Sequence, residues 1–161
     1  MYARILVPLD GSATSLQGLA EAIRLGKLMG STLRLVHIVD ELKYVSGFDS
    51  LAGCGSDLIP LMQEAGEQVL QQGRERVEAA GLKAETLLFT TLAARVADVV
   101  VEQAKAWGAE LIVIGTHGRR GIGRALLGSD AEQILRNAPI PVLLVRSGAA
   151  PAERVSRVAE T

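Results

Sequence analysis

The most constraining feature of the chain is a strand, a glycine-rich loop and a helix that follow one another directly. Residues 111–114 form an apolar run typical of a buried strand. Gly115 and Gly118 follow this run at once, and nine residues later the chain has Gly128 and Ser129. Ser129 is the predicted N-cap of the helix that begins there. Because glycines let backbone N–H groups approach an anion and the helix dipole attracts it, the segment predicts a bound phosphate and hence a nucleotide.

Two common nucleotide-binding loops are excluded by the sequence. The chain contains no Gly-Lys-Ser or Gly-Lys-Thr tripeptide, so it has no Walker loop. The pair Gly121 and Gly123 lacks the third glycine of a dinucleotide fingerprint, because that position is Leu126. In addition, no strand directly precedes Gly121. The glycine loop is therefore of another kind.

Composition limits the partners that the chain can have. Hydrophobic residues make up 48% of the chain and aromatic residues 3%, which predicts an aliphatic core suited to buried parallel strands. The net charge of −1 provides no basic field for nucleic acid or for an acidic membrane. The single cysteine, Cys54, excludes an internal disulfide and paired-cysteine zinc sites. With neither a signal peptide nor a transmembrane segment in view, we expect a cytoplasmic protein that contacts neither nucleic acid nor membrane.

Strand and helix patterns alternate along the chain and predict a single α/β domain over residues 1–147, followed by a tail at 148–161. The strands are expected at 3–9, 32–39, 84–90, 110–115 and 141–146. The helices are expected from Ser12 or Ser15 to about 29, and at 58–80, 93–107 and 129–137. Residues 46–57 have the composition of a loop. Such alternation predicts an open parallel five-stranded sheet with helices on both faces.

These motifs together resemble the universal stress protein family in its ATP-binding form. The resemblance rests on the spacing of the glycine loop, on residues 5–12 (Ile-Leu-Val-Pro-Leu-Asp-Gly-Ser) and on residues 139–145 (Pro-Ile-Pro-Val-Leu-Leu-Val). It implies a Rossmann-like sheet of the adenine nucleotide alpha hydrolase type with strand order 3-2-1-4-5. That order places strands 1 and 4 side by side at the switch point, where ligands bind.

The resemblance also implies a nucleotide site around this switch point. Pro8 and Leu9 are expected to line the adenine pocket, and the backbone of Ile38 to contact the adenine edge. The carboxylate of Asp10 suits ribose hydroxyls or a divalent cation, with Mg²⁺ as the expected ion. The phosphates are expected at the glycine loop and the following helix, at Ile114, Gly115, Gly118, Arg119, Gly128, Ser129, Asp130 and Ala131.

Each of these residues also has a purely structural interpretation. The loop glycines can be turn glycines, and Asp10 can cap the turn at Gly11 and Ser12. Arg119 can grip a phosphate or belong, with Arg120 and Arg124, to a solvated face. His37 fits a local hydrogen bond better than a catalytic base, and His117 has no default role. Cys54 is expected to be an incidental thiol. Trp107 is expected to be a packing residue at the end of a helix.

The resemblance implies a regulatory role in stress survival, exerted through an adenine nucleotide and an unknown protein partner. It also implies a homodimer formed through strand 141–146; the tail is the other candidate cover for that edge. One alternative is a slow ATPase or a nucleotidyl-transfer enzyme. The other alternative is a dimerisation module that binds no nucleotide.

Overall fold

A computed structural model describes residues 1–41, 55–92, 94–116 and 128–146 of the chain. Strands and helices alternate throughout these residues, as the sequence predicts. The strands are β1 (Arg4–Pro8), β2 (Thr32–Asp40), β3 (Lys83–Thr91), β4 (Leu111–Gly115) and β5 (Val142–Val145). The helices are α1 (Ala13–Met29), α2 (Gly55–Ala79), α3 (Val96–Trp107) and α4 (Ser129–Asn137).

The five strands form one parallel sheet in the order β3-β2-β1-β4-β5, which confirms the predicted topology. Side chains alternate between the two faces of each strand, so the sheet has two cores. One core packs Val7 and Leu35 against α1 and α2, and the other packs Leu6 and Ile112 against α3 and α4. Helices therefore cover both faces. Within the described residues no helix is both long and apolar enough to cross a membrane.

Apart from shifts of one residue at strand and helix ends, two helix starts and one helix cap differ from the sequence predictions. Helix α2 begins at Gly55, inside the segment predicted to be a loop, and α3 begins at Val96 instead of residue 93. Ser129 is not the N-cap of α4 but its first residue. The cap is Gly128, whose extended backbone (φ −59°, ψ 146°) lets its carbonyl accept the N–H of Glu132 at 2.9 Å. The first intrahelical bond thus starts one residue earlier than the capping preference of serine suggests.

Small residues form much of the buried face of α1. The apolar spacing of the sequence predicts a buried face that includes Ala20 and Leu28, but both are exposed, Leu28 by 82%. The residues that the structure buries are Thr14, Ser15, Gly18, Leu19, Ala22 and Gly26. This face lets the helix backbone lie directly on the sheet.

The closest approach joins the first turn of α1 to the end of β4. A Cβ added to Gly115 would lie 2.7 Å from the carbonyl oxygen of Thr14, and one added to Gly18 would lie 3.3 Å from the backbone nitrogen of Gly115. Real Cβ atoms do not approach backbone atoms as closely as 2.7 Å, so position 115 accepts only glycine without a backbone shift. Gly115 is thus required by packing, independently of any ligand.

We expect Gly115→Ala to lower the free energy of unfolding by about 1–3 kcal/mol, the usual cost of overpacking a core. The matched change is Gly30→Ala, at a left-handed helix end (φ 69°) where a Cβ would meet nothing within 4 Å. There the cost is about 1 kcal/mol, from backbone strain alone. Chemical denaturation without nucleotide compares the two variants. Equal losses would contradict the close contact between α1 and β4.

Candidate functional site

β1 and β4 lie side by side where the winding of the sheet reverses, which is where doubly wound sheets form a crevice. Their ladder registers Ile5 with Leu111 and Leu6 with Ile112 and goes no further, although β1 continues to pair with β2 up to Pro8. The segments after β1 and β4 therefore leave the carboxyl edge of the sheet as neighbours. This is the topological switch point at which open α/β sheets hold their ligands.

Two hydrogen bonds bring the ends of the glycine loop together. The N–H of Thr116 donates to the carbonyl of Val145 at 2.9 Å, which extends the β4–β5 ladder by one bond. The N–H of Gly128 then donates to the carbonyl of Thr116 at 2.7 Å. The start of α4 therefore lies directly at the end of β4. The predicted contacts at Gly118 and Arg119 lie outside the described residues, as do His117, Arg120 and Arg124.

The N-cap residue of α4, Gly128, makes no side-chain cap hydrogen bond. The first N–H groups of a helix have no acceptor inside the helix, and Gly128 has no side chain to supply one. Helix α1 differs, because the hydroxyl of Ser12 accepts the N–H of Ser15 at 3.1 Å. The start of α4 is thus suited to an external acceptor, either water or an anion. Ser129 is exposed there, Asp130 is half-buried, and Ala131 packs into the core.

Asp10 lies at the turn that joins β1 to α1. Its Oδ1 accepts the N–H of Ser12 at 2.9 Å, and Gly11 makes the turn with a left-handed backbone (φ 80°). The structural interpretation of Asp10 as a cap is therefore observed. A carboxylate has two oxygens with about four acceptor positions, so this bond is compatible with a ligand at the same residue. Asp10 and Gly115 are brought to the same region, because Thr14 follows this turn and packs on Gly115.

Leu9 is held against β2 by both its backbone N–H and its backbone carbonyl. Its N–H donates to the carbonyl of Val36 at 2.8 Å, and its carbonyl lies 2.7 Å from Nδ1 of His37. Both side chains are buried, with 2% and 7% exposure. His37 is thus bonded to the backbone of the neighbouring strand, which agrees with its structural interpretation. Sequence analysis missed this bond, because its two partners lie 28 residues apart.

Ile38 lies beyond the end of β1 and next to the crevice. It pairs with Phe89 in the register of β2 and β3, and it is half-buried. Pro8, at the last register position between β1 and β2, is also half-buried. Ile114 and Gly115 are buried at the end of β4. The described candidates on the strands thus lie towards the carboxyl ends of β1, β2 and β4.

Other candidates lie away from the crevice or outside the described residues. Trp107 packs at the end of α3, with the guanidinium of Arg34 at 4.5 Å from its ring centre. This agrees with the predicted packing role. Cys54 lies outside the described residues. In the ranges that the structure describes, no group of three or more His, Cys, Asp or Glu residues forms a potential metal cluster.

The fold defines a doubly wound α/β protein with β1 and β4 at its switch point. Comparison with known proteins identifies the family. The model of the universal stress protein family matches residues 1–146. The chain therefore belongs to the universal stress protein family.

Relatives and solved structures agree with this assignment. Universal stress protein MJ0531 of Methanocaldococcus jannaschii is 37% identical over 148 residues, covering 91% of this chain and 83% of the relative. A crystal structure of a universal stress protein family member from Burkholderia pseudomallei superposes with a TM-score of 0.73 at 33% identity, covering 89% and 96% of the two chains. The universal stress protein of Archaeoglobus fulgidus in complex with dAMP gives a TM-score of 0.63 at 23% identity, covering 89% and 98%.

The two helix starts predict different responses to the loss of a serine hydroxyl. Ser12→Ala removes the side-chain cap of α1 and should lower the free energy of unfolding by about 1 kcal/mol. Ser129→Ala should change it by less than about 0.5 kcal/mol, because Gly128 is the cap of α4. Urea denaturation of both variants measures the difference. A loss at Ser129 as large as that at Ser12 would show that the Ser129 hydroxyl stabilises α4 after all.

Proposed function

We propose that this universal stress protein binds an adenine nucleotide, with ATP as the preferred ligand, in the crevice between β1 and β4. The observation that carries the proposal is the hydrogen bond from Gly128 N–H to the carbonyl of Thr116. It holds the start of α4, whose cap residue Gly128 has no side chain, at the end of β4, where backbone N–H groups and the helix dipole attract phosphate oxygens.

The proposed contact residues fall into groups for the adenine, the ribose and the phosphates of the nucleotide. Pro8 and Leu9 form the wall for adenine, with the backbone of Ile38 at the edge of the base. Asp10 accepts from the ribose hydroxyls. The phosphates lie on the glycine loop and the first turn of α4, and the proposed contacts are Ile114, Gly115, Gly118, Arg119, Gly128, Ser129, Asp130 and Ala131. Asp130 contributes its backbone N–H, since an inward carboxylate would repel the triphosphate.

Mg²⁺ is the cation that suits such a site. It is held in proteins by one or two carboxylates together with substrate phosphates, and Asp10 is the carboxylate at the carboxyl edge of β1. The ion would neutralise phosphate charge. Because only one protein carboxylate is proposed, the affinity for Mg²⁺ depends on the nucleotide.

Support for an adenine nucleotide also comes from the family. The Archaeoglobus fulgidus member was solved in complex with dAMP, and its fold covers 89% of this chain. The β1, β4 and α4 elements that surround the crevice here belong to the shared fold. We transfer the ligand class to this chain on that ground. We propose ATP in particular because of the length of the glycine loop and because the cap of α4 is a glycine without a side chain.

The role that follows is regulatory, with nucleotide occupancy changing the choice of protein partner in the cytoplasm. Two side chains with acid–base chemistry near the crevice have structural bonds, since Asp10 caps a turn and His37 holds Leu9. We also propose a homodimer through residues 141–146, because β5 ends the sheet and its four apolar residues are only half-buried.

A charge placed at the start of α4 tests the phosphate site. Ser129→Asp should weaken ATP binding at least tenfold, because its carboxylate would face the phosphates, while the favourable helix dipole preserves stability. The effect should decrease from ATP to AMP and vanish for adenosine. Calorimetric titration measures all three affinities.

The matched control is Asn137→Asp, which adds the same charge to an exposed position at the other end of α4. It should leave ATP affinity within about twofold, since exposed charges beyond a Debye length of about 10 Å are largely screened. An unchanged ATP affinity in Ser129→Asp contradicts the placement of the phosphates. Absence of binding heat with ATP, ADP and AMP in the wild-type protein contradicts the function itself.

A binding protein of this kind should release no phosphate from ATP in a single-turnover experiment over hours. The physical reason is that the described crevice residues include no side chain positioned to activate water. Quantifying phosphate with the wild-type protein and with Asp10→Ala tests this expectation. Phosphate release that collapses in Asp10→Ala would favour the slow ATPase.

A further inference from the structure

The hydrogen-bonding directions along β2 follow a strict alternation. Thr32 N–H donates to Ala3, and Val36 accepts from Leu9, so the even-numbered residues bond towards β1. Glu41 N–H donates to Thr91, so the odd-numbered residues bond towards β3. Ile38 is even-numbered, and its N–H and carbonyl therefore point to the β1 side of the strand.

The next bond of the β1–β2 ladder would join Ile38 N–H to the carbonyl of Leu9. In a parallel ladder each N–H donates to the residue before its partner, as Thr32, the partner of Arg4, does to Ala3. After Val36, the next residue of β2 that bonds towards β1 is Ile38. The same geometry assigns the carbonyl of Leu9 as the acceptor for its N–H. Within the described residues, however, no backbone bond joins these two groups.

The imidazole of His37 takes that position. Its Nδ1 lies 2.7 Å from the Leu9 carbonyl oxygen, and a carbonyl can only accept, so Nδ1 carries the proton. The ring thus satisfies a buried carbonyl that the ladder would otherwise satisfy through Ile38. The backbone N–H of Ile38 is left directed at the crevice, beyond the end of β1.

We propose that His37 is a positioning residue that ends the β1–β2 ladder at Leu9 and thereby reserves the backbone edge of Ile38 for the adenine base. This inference rests on the proposed function and adds the residue that prepares its adenine subsite. His37 touches no part of the nucleotide. It acts through the Leu9 carbonyl, to which Nδ1 donates a hydrogen bond.

Helix α2 fixes the ring in this position. A Cβ added to Gly66 would lie 2.6 Å from Cδ2 of His37 and 3.1 Å from Nε2, so the glycine makes room for the imidazole. In α1, a Cβ added to Gly26 would instead meet the side-chain ends of Leu33 and Leu82, each at 2.9 Å. Gly66 and Gly26 are both buried. Gly26 is therefore a matched position whose nearest neighbours are neither the imidazole nor Leu9.

The test compares His37→Leu with His37→Asn. Leucine fills the space without a donor, so Ile38 N–H should close the ladder onto Leu9. Amide hydrogen exchange at Ile38, measured in the nucleotide-free protein, should then slow at least tenfold, and the Kd for ATP should rise about tenfold for the lost adenine hydrogen bond. Asparagine places an N–H donor at the position of Nδ1, so it should retain the wild-type exchange rate and affinity.

Equal exchange at Ile38 in the wild-type and His37→Leu proteins would overturn the proposal, even where both bind ATP. An affinity loss in His37→Asn as large as that in His37→Leu would also overturn it, because the donor alone should suffice. If the wild-type protein binds no adenylate, the proposed function fails. The exchange comparison still decides separately whether His37 holds the ladder open, because it requires no nucleotide.

A second pair of variants covers the case in which His37→Leu does not fold. Gly66→Ala should displace the imidazole and raise the Kd for ATP about tenfold, while Gly26→Ala introduces the same methyl group against leucine side chains that contact α1 and should leave the Kd within about twofold. Thermal melts should show both variants folded. Equal ATP affinities in Gly66→Ala and Gly26→Ala would contradict a role for the ring in preparing the site.

Discussion

The close backbone contact between α1 and β4 underlies the rest of this structure. Thr14 lies against Gly115 in the first turn of α1, just after the turn that contains Asp10. This contact brings the segment that leaves β1 to the segment that leaves β4, which are the two sides of the crevice. A bulkier residue at position 115 would push the helix outward and separate them. Packing and the candidate site therefore depend on the same pair of residues.

Gly115 shows why a glycine can serve more than one purpose in a phosphate loop. The sequence offered two interpretations, a turn residue and a residue that a phosphate approaches. The structure adds a third, because the missing Cβ makes room for the Thr14 carbonyl. The requirement for glycine at this position is thus explained without a ligand. The proposal of a phosphate site rests instead on the glycine cap of α4, which has no side chain, and on its bond to Thr116.

The sequence predicted the element types well and their ends less well. Apolar runs such as residues 111–114 indicate buried strands, because parallel strands are covered on both faces. The face of α1 was predicted with less success, since Leu28 is exposed and Gly18 is buried. Hydrophobicity describes what a residue gains by burial, but here small size decides which residues face the sheet. The strand order 3-2-1-4-5 came from the family resemblance and not from the periodicity.

The sequence by itself determined the alternation of strands and helices, the aliphatic core and the glycine spacing, because these follow from local periodicity and residue chemistry. Only the tertiary structure decided that the Leu9 carbonyl is bonded by His37, that Gly128 caps α4, and that the β1–β4 ladder stops at Leu6 and Ile112. Each of these depends on atoms far apart in the chain or on the start of one hydrogen-bonded turn. Such geometry is set by how the packed elements meet, and a linear pattern does not encode it.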